Sequence, residues 1–334
     1  MNKIIKILLV ILISAITTYC IKNDKKYNPV IAEYLETENE IKIWYETFGN
    51  KNGRPIIYMH GGPGSGLRDI QNNLNDFFDL KKDYIILFDQ RGCGKSLPRG
   101  AFTQNTTLNI VEDINKLQKH LSIEKADIWG HSWGSTVALS YAQKYPQNVS
   151  KLVVSGVYLA RDYDADWIFY QTKRFFPEEY SKMIAVAGGG DNLFERYYKI
   201  VNGNDIEKQK SAIATFATVE KLTMNLVLDK KDLATRIVKA EDISGDTIID
   251  YQIFFWYLKN KCFLNEKQFM QNMKKITVPT FILQGRYDLA VTPEGAYTLS
   301  QLITNSTLVI IENTGHRSKA DSYKKELKNI FTTF

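Results

Sequence analysis

Ser132 stands in a short motif whose spacing suits a serine nucleophile. Residues 130–134 read G-x-S-x-G, with an apolar run before them and a segment of helical character, residues 136–142, after them. This pattern between a strand and a helix predicts a nucleophile elbow, a sharp turn that leaves the serine hydroxyl exposed. Gly130 and Gly134 are needed because a Cβ at either position would collide in so tight a turn.

A serine hydroxyl is a poor nucleophile at neutral pH, so it needs a general base in hydrogen-bond reach. The chain has four histidines. His120 lies on an amphipathic helical segment, and His60 opens a glycine-rich loop that it is expected to order. His131 lies inside the elbow, where we expect its ring to point away from the line of attack of Ser132. His316 follows the last apolar run, where a hydrolase of this kind presents its base, and we assign it that role.

The base needs an acid to orient it, and the strand end between serine and histidine should supply one. Asp288 follows the apolar run of residues 280–285 and fills that position. Ser132, Asp288 and His316 therefore form a candidate catalytic triad in the chain order of the α/β-hydrolases, which would act through an acyl-enzyme.

Two backbone N–H groups should stabilise the oxyanion of such a reaction. Trp133, at the start of the elbow helix, supplies one candidate. The loop of residues 60–64, H-G-G-P-G, supplies the other at Gly62, and small residues such as Gly61 let its main chain approach a substrate.

Strands and helices alternate around these residues, which predicts an α/β fold of the α/β-hydrolase type, with a mostly parallel central sheet flanked by helices. A hairpin is expected within residues 34–46, buried strands at 55–59, 84–88, 149–156 and 278–285, and a last strand at 306–311. Helices are expected at 70–80, 107–121, 293–302 and from about 321. Thr292 is expected to cap the helix that begins at Pro293. Residues 158–272 show helical periodicity without a convincing strand, which predicts an inserted helical cap whose many aromatic residues mostly form its own core.

The predicted organisation has five parts. These are a signal peptide (1–19), a linker (20–31), the first part of the hydrolase core (32–157), the helical cap (158–274) and the second part of the core (275–334).

The N-terminus has the form of an export signal. A basic start, residues 1–6, precedes ten apolar residues, 7–16, which are too few to cross about 30 Å of hydrocarbon. Cys20 then resembles a bacterial lipoprotein processing site, although Tyr19 replaces the usual small residue. We expect export to the cell envelope, with membrane attachment through lipidated Cys20; an uncleaved anchor or a secreted form are the alternatives.

Composition excludes some classes of function. The chain has 334 residues, 44% of them apolar, and its formal charge of +6 is spread without a dense basic block outside the N-terminus, so no nucleic-acid partner is expected. The spacing of Cys93 and Cys262 suggests no metal site, and we expect neither to be catalytic. No metal or organic cofactor is implied.

Several motifs together carry a resemblance to a known family. They are H-G-G-P-G at 60–64, D-Q-R-G-C-G-K-S at 89–96, G-H-S-W-G-S at 130–135, G-R-Y-D at 285–288 and G-H at 315–316. Over residues 40–157 and 276–334 the chain resembles the prolyl aminopeptidases (proline iminopeptidases), α/β-hydrolase serine peptidases that release an N-terminal proline. Many members have glycine where this chain has His131.

The resemblance also implies that cap carboxylates bind the α-amino group of the substrate. Glu220 ends a segment, F-A-T-V-E at 216–220, that resembles the pattern around one family glutamate, with Val219 in place of a second aromatic residue. The region matching a second family glutamate, residues 250–258, contains none, and Asp250 is the candidate to replace it.

The sequence thus predicts a serine aminopeptidase that acts on short peptides with N-terminal proline or another small apolar residue. A carboxylesterase or lactonase with the same triad, acting on a small acyl substrate, is the alternative that the missing glutamate favours. A binding protein without catalysis on this fold is a third interpretation, and the complete set of triad residues argues against it.

Overall fold

The computed structural model of the protein describes residues 27–67, 70–226, 229–317 and 320–333. The predicted signal peptide and Cys20 lie outside the described residues. Within the described ranges, no helix combines the length and the apolar character that a membrane span requires.

Eight strands form one sheet in the order β1-β2-β4-β3-β5-β6-β7-β8. The first two pair antiparallel as the predicted hairpin, β2 also runs antiparallel to β4, and the remaining neighbours are parallel. The mostly parallel sheet expected from the sequence is therefore confirmed. The strands are β1 (Ile31–Glu36), β2 (Lys42–Gly49), β3 (Arg54–Met59), β4 (Asp83–Phe88), β5 (Ala126–His131), β6 (Val149–Ser155), β7 (Thr280–Gly285) and β8 (Ser306–Ile311).

The central strands are apolar throughout because both faces of the sheet are covered. All six residues of β4 are buried. Side chains alternate between two hydrophobic clusters, with Ile57 and Ile86 in the larger one and Ile56 and Ile85 in the smaller one on the opposite face. The parallel direction of β3 to β8 brings the carboxyl ends of these strands to one edge of the sheet.

The helices divide between the two faces of the sheet and a cap. They are α1 (Leu74–Phe77), α2 (Thr107–His120), α3 (Trp133–Lys144), α4 (Asp162–Asp166), α5 (Pro177–Ala187), α6 (Leu193–Val201), α7 (Ile206–Thr223), α8 (Lys230–Arg236), α9 (Gly245–Lys259), α10 (Glu266–Gln271), α11 (Pro293–Leu302) and α12 (Asp321–Thr333). A π-helical turn, Trp167–Gln171, follows α4.

The cap comprises α4 to α10 and connects β6 to β7. Its described residues contain no strand, in agreement with the helical periodicity of the sequence. Aromatic rings fill its interior, with the rings of Phe169 and Phe216 5.2 Å apart and those of Phe194 and Phe255 5.9 Å apart. Most cap aromatic residues therefore form its own core, as expected.

Two local expectations need correction. The helix predicted for residues 70–80 is a 3₁₀ turn, Ile70–Asn72, followed by the short α1. Phe78 leaves the helix in extended backbone and packs its ring against Trp129 and Phe331, a tertiary contact that ends the helix early. At the start of α11, Thr292 occupies the N-cap position but its hydroxyl makes no capping hydrogen bond.

Candidate active site

Ser132 lies between the last residue of β5 and the first residue of α3. Its backbone is held at φ 58° and ψ −128°, a conformation that costs a residue with a side chain about 1–3 kcal/mol. Two hydrogen bonds hold it there: Ser132 N donates to Ser155 O at 2.9 Å, and Ser135 N donates to Ser132 O at 2.8 Å. The turn has the geometry expected of a nucleophile elbow.

Both flanking glycines are dictated by close backbone contacts. A Cβ on Gly130 would lie 2.1 Å from Gly134 O, and a Cβ on Gly134 would lie 2.0 Å from Met59 O. Neither neighbour is a flexible side-chain end that could move aside. The elbow therefore requires the two glycines for the reason that the sequence suggested.

Asp288 and His316 lie in direct contact after β7 and β8. His316 Nδ1 is 2.7 Å from Asp288 Oδ2, and both side chains are buried. The carboxylate also accepts hydrogen bonds from Ala290 N at 3.0 Å and Val291 N at 2.9 Å, and from the Gln284 side-chain amide at 2.8 Å. These donors fix the position of the carboxylate, which accepts at both oxygens, so we assign the Nδ1 proton of His316 to the bond with Asp288.

With its Nδ1 occupied, His316 has Nε2 left as the proton acceptor. Ser132 and His316 line the same cavity. Gly156, at φ 54°, lets the chain pass close to the imidazole, since a Cβ there would lie 2.9 Å from His316 Cε1. The structure thus brings the three predicted triad residues to one edge of the sheet, and their catalytic roles stay a prediction.

His131 packs beside the predicted base, a contact that the sequence did not indicate. Its Nδ1 is 3.0 Å from Ser155 Oγ, and its ring centroid is 4.9 Å from that of His316, with 38° between the planes. Burial, and then the charge of His316, hold the pKa of His131 well below its usual value of 6.5. His131 is therefore a neutral ring beside His316.

The other two histidines have structural surroundings. Gln90 N donates to His60 Nε2 at 3.0 Å and the Gln90 amide donates to His60 O at 2.9 Å, so His60 fixes the glycine-rich loop. Trp133 Nε1 donates to Gln90 Oε1 at 2.8 Å and ties that loop to the elbow helix. His120 is exposed at the end of α2, where its Nε2 is 3.1 Å from Tyr45 Oη.

The two predicted oxyanion donors, Gly62 and Trp133, line the same cavity as Ser132. A Cβ on Gly61 would lie 3.2 Å from Ser132 Cβ, so this loop passes directly over the serine. Gly62 follows at φ 122° and lines the cavity together with Trp133 and His316. Because Trp133 is the first residue of α3, its N–H has no partner within the helix and is available to a substrate oxygen.

The space at Ser132 has two compartments, which we call inner and outer. The inner compartment has an empty volume of about 610 Å³ and the outer compartment one of about 1370 Å³. Both volumes include space that is open to solvent. Both contain Gly62, Ser132, Glu220 and His316. The inner walls are mostly apolar and include Tyr158, Ile168, Phe216, Val219, Phe254, Leu258, Leu289 and Val291.

The two candidate cap carboxylates are placed differently. Glu220, on α7, lies between the compartments, and its Oε2 accepts a hydrogen bond from Tyr251 Oη at 2.6 Å. Asp250, on α9, lines only the outer compartment of the two, and Arg99 Nη2 lies 2.7 Å from its Oδ1. Because Glu220 lines both compartments together with Ser132, it is better placed than Asp250 to meet a cation at Ser132.

The cysteine thiols lie in environments that suppress their reactivity. Cys93 and Cys262 are buried and free. Burial raises the pKa of the Cys262 thiol to about 12 and also raises that of Cys93, so neither is a thiolate at neutral pH. In the part of the chain that the structure describes, no cluster of His, Cys, Asp or Glu side chains could hold a metal ion.

Sequence reasoning missed the residues that support the site. Gln284 is a polar residue at the end of an apolar strand, and this was the available signal for its bond to Asp288. Tyr251 and Arg317 carried no comparable signal. Their place at the site follows from cap packing and from the loop after His316.

Comparison with known proteins agrees with this geometry. The family model for the alpha/beta hydrolase fold matches residues 54–322. A probable proline iminopeptidase of Leptolyngbya boryana is 33% identical over 86% of this chain and 90% of its own length. The proline iminopeptidase of Arabidopsis thaliana is 32% identical over 90% of this chain and 78% of its own length.

Solved structures share the fold at lower identity. A proline iminopeptidase-related protein from Thermus thermophilus superposes with a TM-score of 0.58 at 18% identity, covering 90% of this chain and 96% of its own. A bromoperoxidase from Bacillus anthracis gives a TM-score of 0.63 at 20% identity, covering 90% and 98%. These two structures support the fold alone. The two proline iminopeptidases, at 33% and 32% identity, identify the family within that fold. The chain belongs to the proline iminopeptidase family of α/β-hydrolase serine peptidases.

Proposed function

We propose that this protein releases N-terminal proline, or another small apolar residue, from short peptides. The observation that carries the proposal is the inner compartment, an apolar space that opens at Ser132 and contains the carboxylate of Glu220. An apolar wall suits a pyrrolidine ring, and a carboxylate in a poorly hydrated site is a favourable partner for the charged amine of an N-terminal residue.

The proposed reaction uses the contacts around Ser132. Ser132 Oγ attacks the carbonyl carbon of the first residue while His316 Nε2 takes the hydroxyl proton, and Asp288 stabilises the resulting imidazolium. The N–H groups of Gly62 and Trp133 hold the oxyanion. The C–N bond then breaks, and His316 gives its proton to the leaving amine.

The acyl-enzyme is hydrolysed by the same groups. His316 removes a proton from a water molecule, which attacks the ester carbon. The Ser132 Oγ–carbon bond breaks, and the serine recovers its proton from His316. The products are the free amino acid and the shortened peptide.

A substrate panel tests the proposal against the esterase alternative. Aminoacyl arylamides and simple acyl esters are compared by kcat/KM on the purified protein. We expect prolyl arylamide to be the best arylamide and to exceed simple esters. Acyl esters that greatly exceed every aminoacyl arylamide would reject the proposal and select an esterase.

Glu220→Gln separates amine recognition from hydrolysis. A hydrogen bond to a charged group contributes about 1.5–3 kcal/mol, so we expect kcat/KM for prolyl arylamide to fall about 10- to 150-fold. An ester without an amine should be affected much less. Glu207→Gln is the matched control, because Glu207 lies on the same helix but faces solvent. An equal loss on both substrates would contradict the assigned role.

A further inference from the structure

The outer compartment has charges of both signs on its walls. Glu220 and Asp250 contribute carboxylates from the cap, while Lys221 and Arg317 contribute cations. A short peptide is a zwitterion with an amine at one end and a carboxylate at the other. Under the proposed function Glu220 binds the amine, and no residue has yet been assigned to the carboxylate.

Arg317 is a cation without an anionic partner in the described part of the chain. It follows His316 directly, and its guanidinium has neither an ion pair nor a hydrogen-bond acceptor among the described residues. Desolvation, and then the charge of Arg236, lower its pKa. A guanidinium presents five N–H donors and, when partly desolvated, strongly favours a carboxylate that can bind two of them.

Arg236, at the end of α8, adds a second guanidinium nearby. Its Nη2 bonds Asp232 Oδ1 at 2.8 Å, but its Nε is buried and has no hydrogen-bond partner among the described residues. Buried donors are rarely left without an acceptor in native proteins. Arg236 is close enough for its charge to act on Arg317, and both guanidinium groups have N–H donors without a protein acceptor among the described residues. An anion bound at Arg317 would satisfy such donors.

The position of Arg317 matches the leaving side of the scissile bond. With the first residue of the substrate in the inner compartment and its carbonyl at Ser132, the rest of the peptide enters the outer compartment. The Cα atoms of His316 and Arg317 are about 3.8 Å apart, and each further extended residue of substrate spans about 3.3–3.6 Å. A carboxylate one or two residues beyond the scissile bond is therefore within reach of an arginine side chain.

We propose that Arg317, supported by Arg236, binds the C-terminal carboxylate of a di- or tripeptide substrate. The inference rests on the proposed aminopeptidase function and adds the substrate class: short peptides with a free C-terminus. Glu220 and Arg317 then hold the two ends of one zwitterion.

The test compares Pro-Ala with Pro-Ala-amide, which differ only in the terminal carboxylate, and uses prolyl arylamide as an independent substrate. The enzymes are the unmodified protein, Arg317→Gln and Arg317→Lys. Arg196→Gln is the matched control, because the Arg196 guanidinium bonds backbone carbonyls on the cap surface. The quantity measured is the ratio of kcat/KM for Pro-Ala to that for Pro-Ala-amide, which is internal to each enzyme preparation.

We expect the unmodified protein to prefer Pro-Ala about tenfold or more, mainly through KM, as one charge-assisted contact allows. Arg317→Gln should bring the ratio close to one, Arg317→Lys should keep part of it, and Arg196→Gln should keep all of it. If Arg317→Gln does not fold, the Pro-Ala to Pro-Ala-amide ratios of the unmodified protein and of Arg317→Lys test the proposal. We then expect a ratio of about ten or more for the unmodified protein and a smaller ratio for Arg317→Lys.

The two possible failures are distinguishable. The carboxylate site is overturned if the Pro-Ala to Pro-Ala-amide ratio is near one in the unmodified protein, or if Arg317→Gln leaves a high ratio unchanged. In either case, turnover of prolyl arylamide would still support the proposed function. A folded protein that turns over no prolyl substrate overturns both.

Discussion

At the level of single residues, His131 is the immediate neighbour of the predicted base. The centroid of its imidazole lies 4.9 Å from that of His316. Ser155 holds both the elbow and this ring, since its carbonyl accepts the N–H of Ser132 and its hydroxyl contacts His131 Nδ1. Because burial lowers the pKa of His131, the ring beside His316 carries no positive charge at neutral pH.

Burial of neutral His131 should make stability depend on pH. Its pKa is depressed in the folded protein, so below about pH 6.5 the unfolded chain binds the extra proton and the free energy of unfolding falls. We expect the unmodified protein to lose about 1 kcal/mol more than His131→Gln between pH 7.5 and 5.5. Urea unfolding at several pH values measures this difference, and parallel curves for the two proteins would contradict it.

The candidate catalytic residues could be predicted because each lies in a recognisable local sequence pattern. Ser132, Asp288 and His316 each follow a strand of the sheet, so their positions along the chain were sufficient to select them as candidates. The ion pair between Arg99 and Asp250 was not predictable, because it joins residues 151 positions apart through the contact of a loop with the cap. Arg317 was missed for the same reason, since only the packed cap creates the compartment that it lines.

The elbow is the element on which the site depends most. Its two glycines place β5, α3 and the end of β3 so close together that no side chain fits. The sequence predicted this element well because a strand, a turn and a helix in succession leave a strong local pattern. The length of the helix at residues 70–80 was overestimated from the sequence. Local periodicity does not reveal the contacts of Phe78 with Trp129 and Phe331.

Gly134→Ala tests the packing of the elbow. A Cβ 2.0 Å from a backbone oxygen forces the helix away from β3, and we expect a loss of about 1–3 kcal/mol in unfolding free energy, or more. Gly245→Ala is the control, because Gly245 begins α9 with nothing within 4 Å of the added methyl group. Thermal or urea unfolding compares the two, and equal stabilities would show that the elbow tolerates the side chain.

For the whole molecule, the cap covers the carboxyl edge of the sheet. It leaves an apolar inner compartment and a charged outer one, both lined by Ser132. Under the proposed function, the core supplies the nucleophile, base and acid, and the cap supplies Glu220. Hydrolysis and substrate selection would then belong to different parts of the chain.

We also propose that the protein is exported and attached to the membrane through Cys20. The basic start and ten apolar residues before Cys20 support the proposal. Metabolic labelling with a radioactive fatty acid in a bacterial host should mark the full-length protein, and Cys20→Ser should remove the label. Labelling that persists in Cys20→Ser, or no labelling of the unmodified protein, would contradict lipidation.

The central claim is that Ser132 is activated by His316, which Asp288 orients. Reaction with a fluorophosphonate, followed by peptide mapping in the mass spectrometer, tests it most directly. We expect one adduct, on Ser132, whose formation is slowed by several orders of magnitude in His316→Ala. A folded protein that forms no adduct on Ser132, or that labels equally fast without the imidazole of His316, would contradict it.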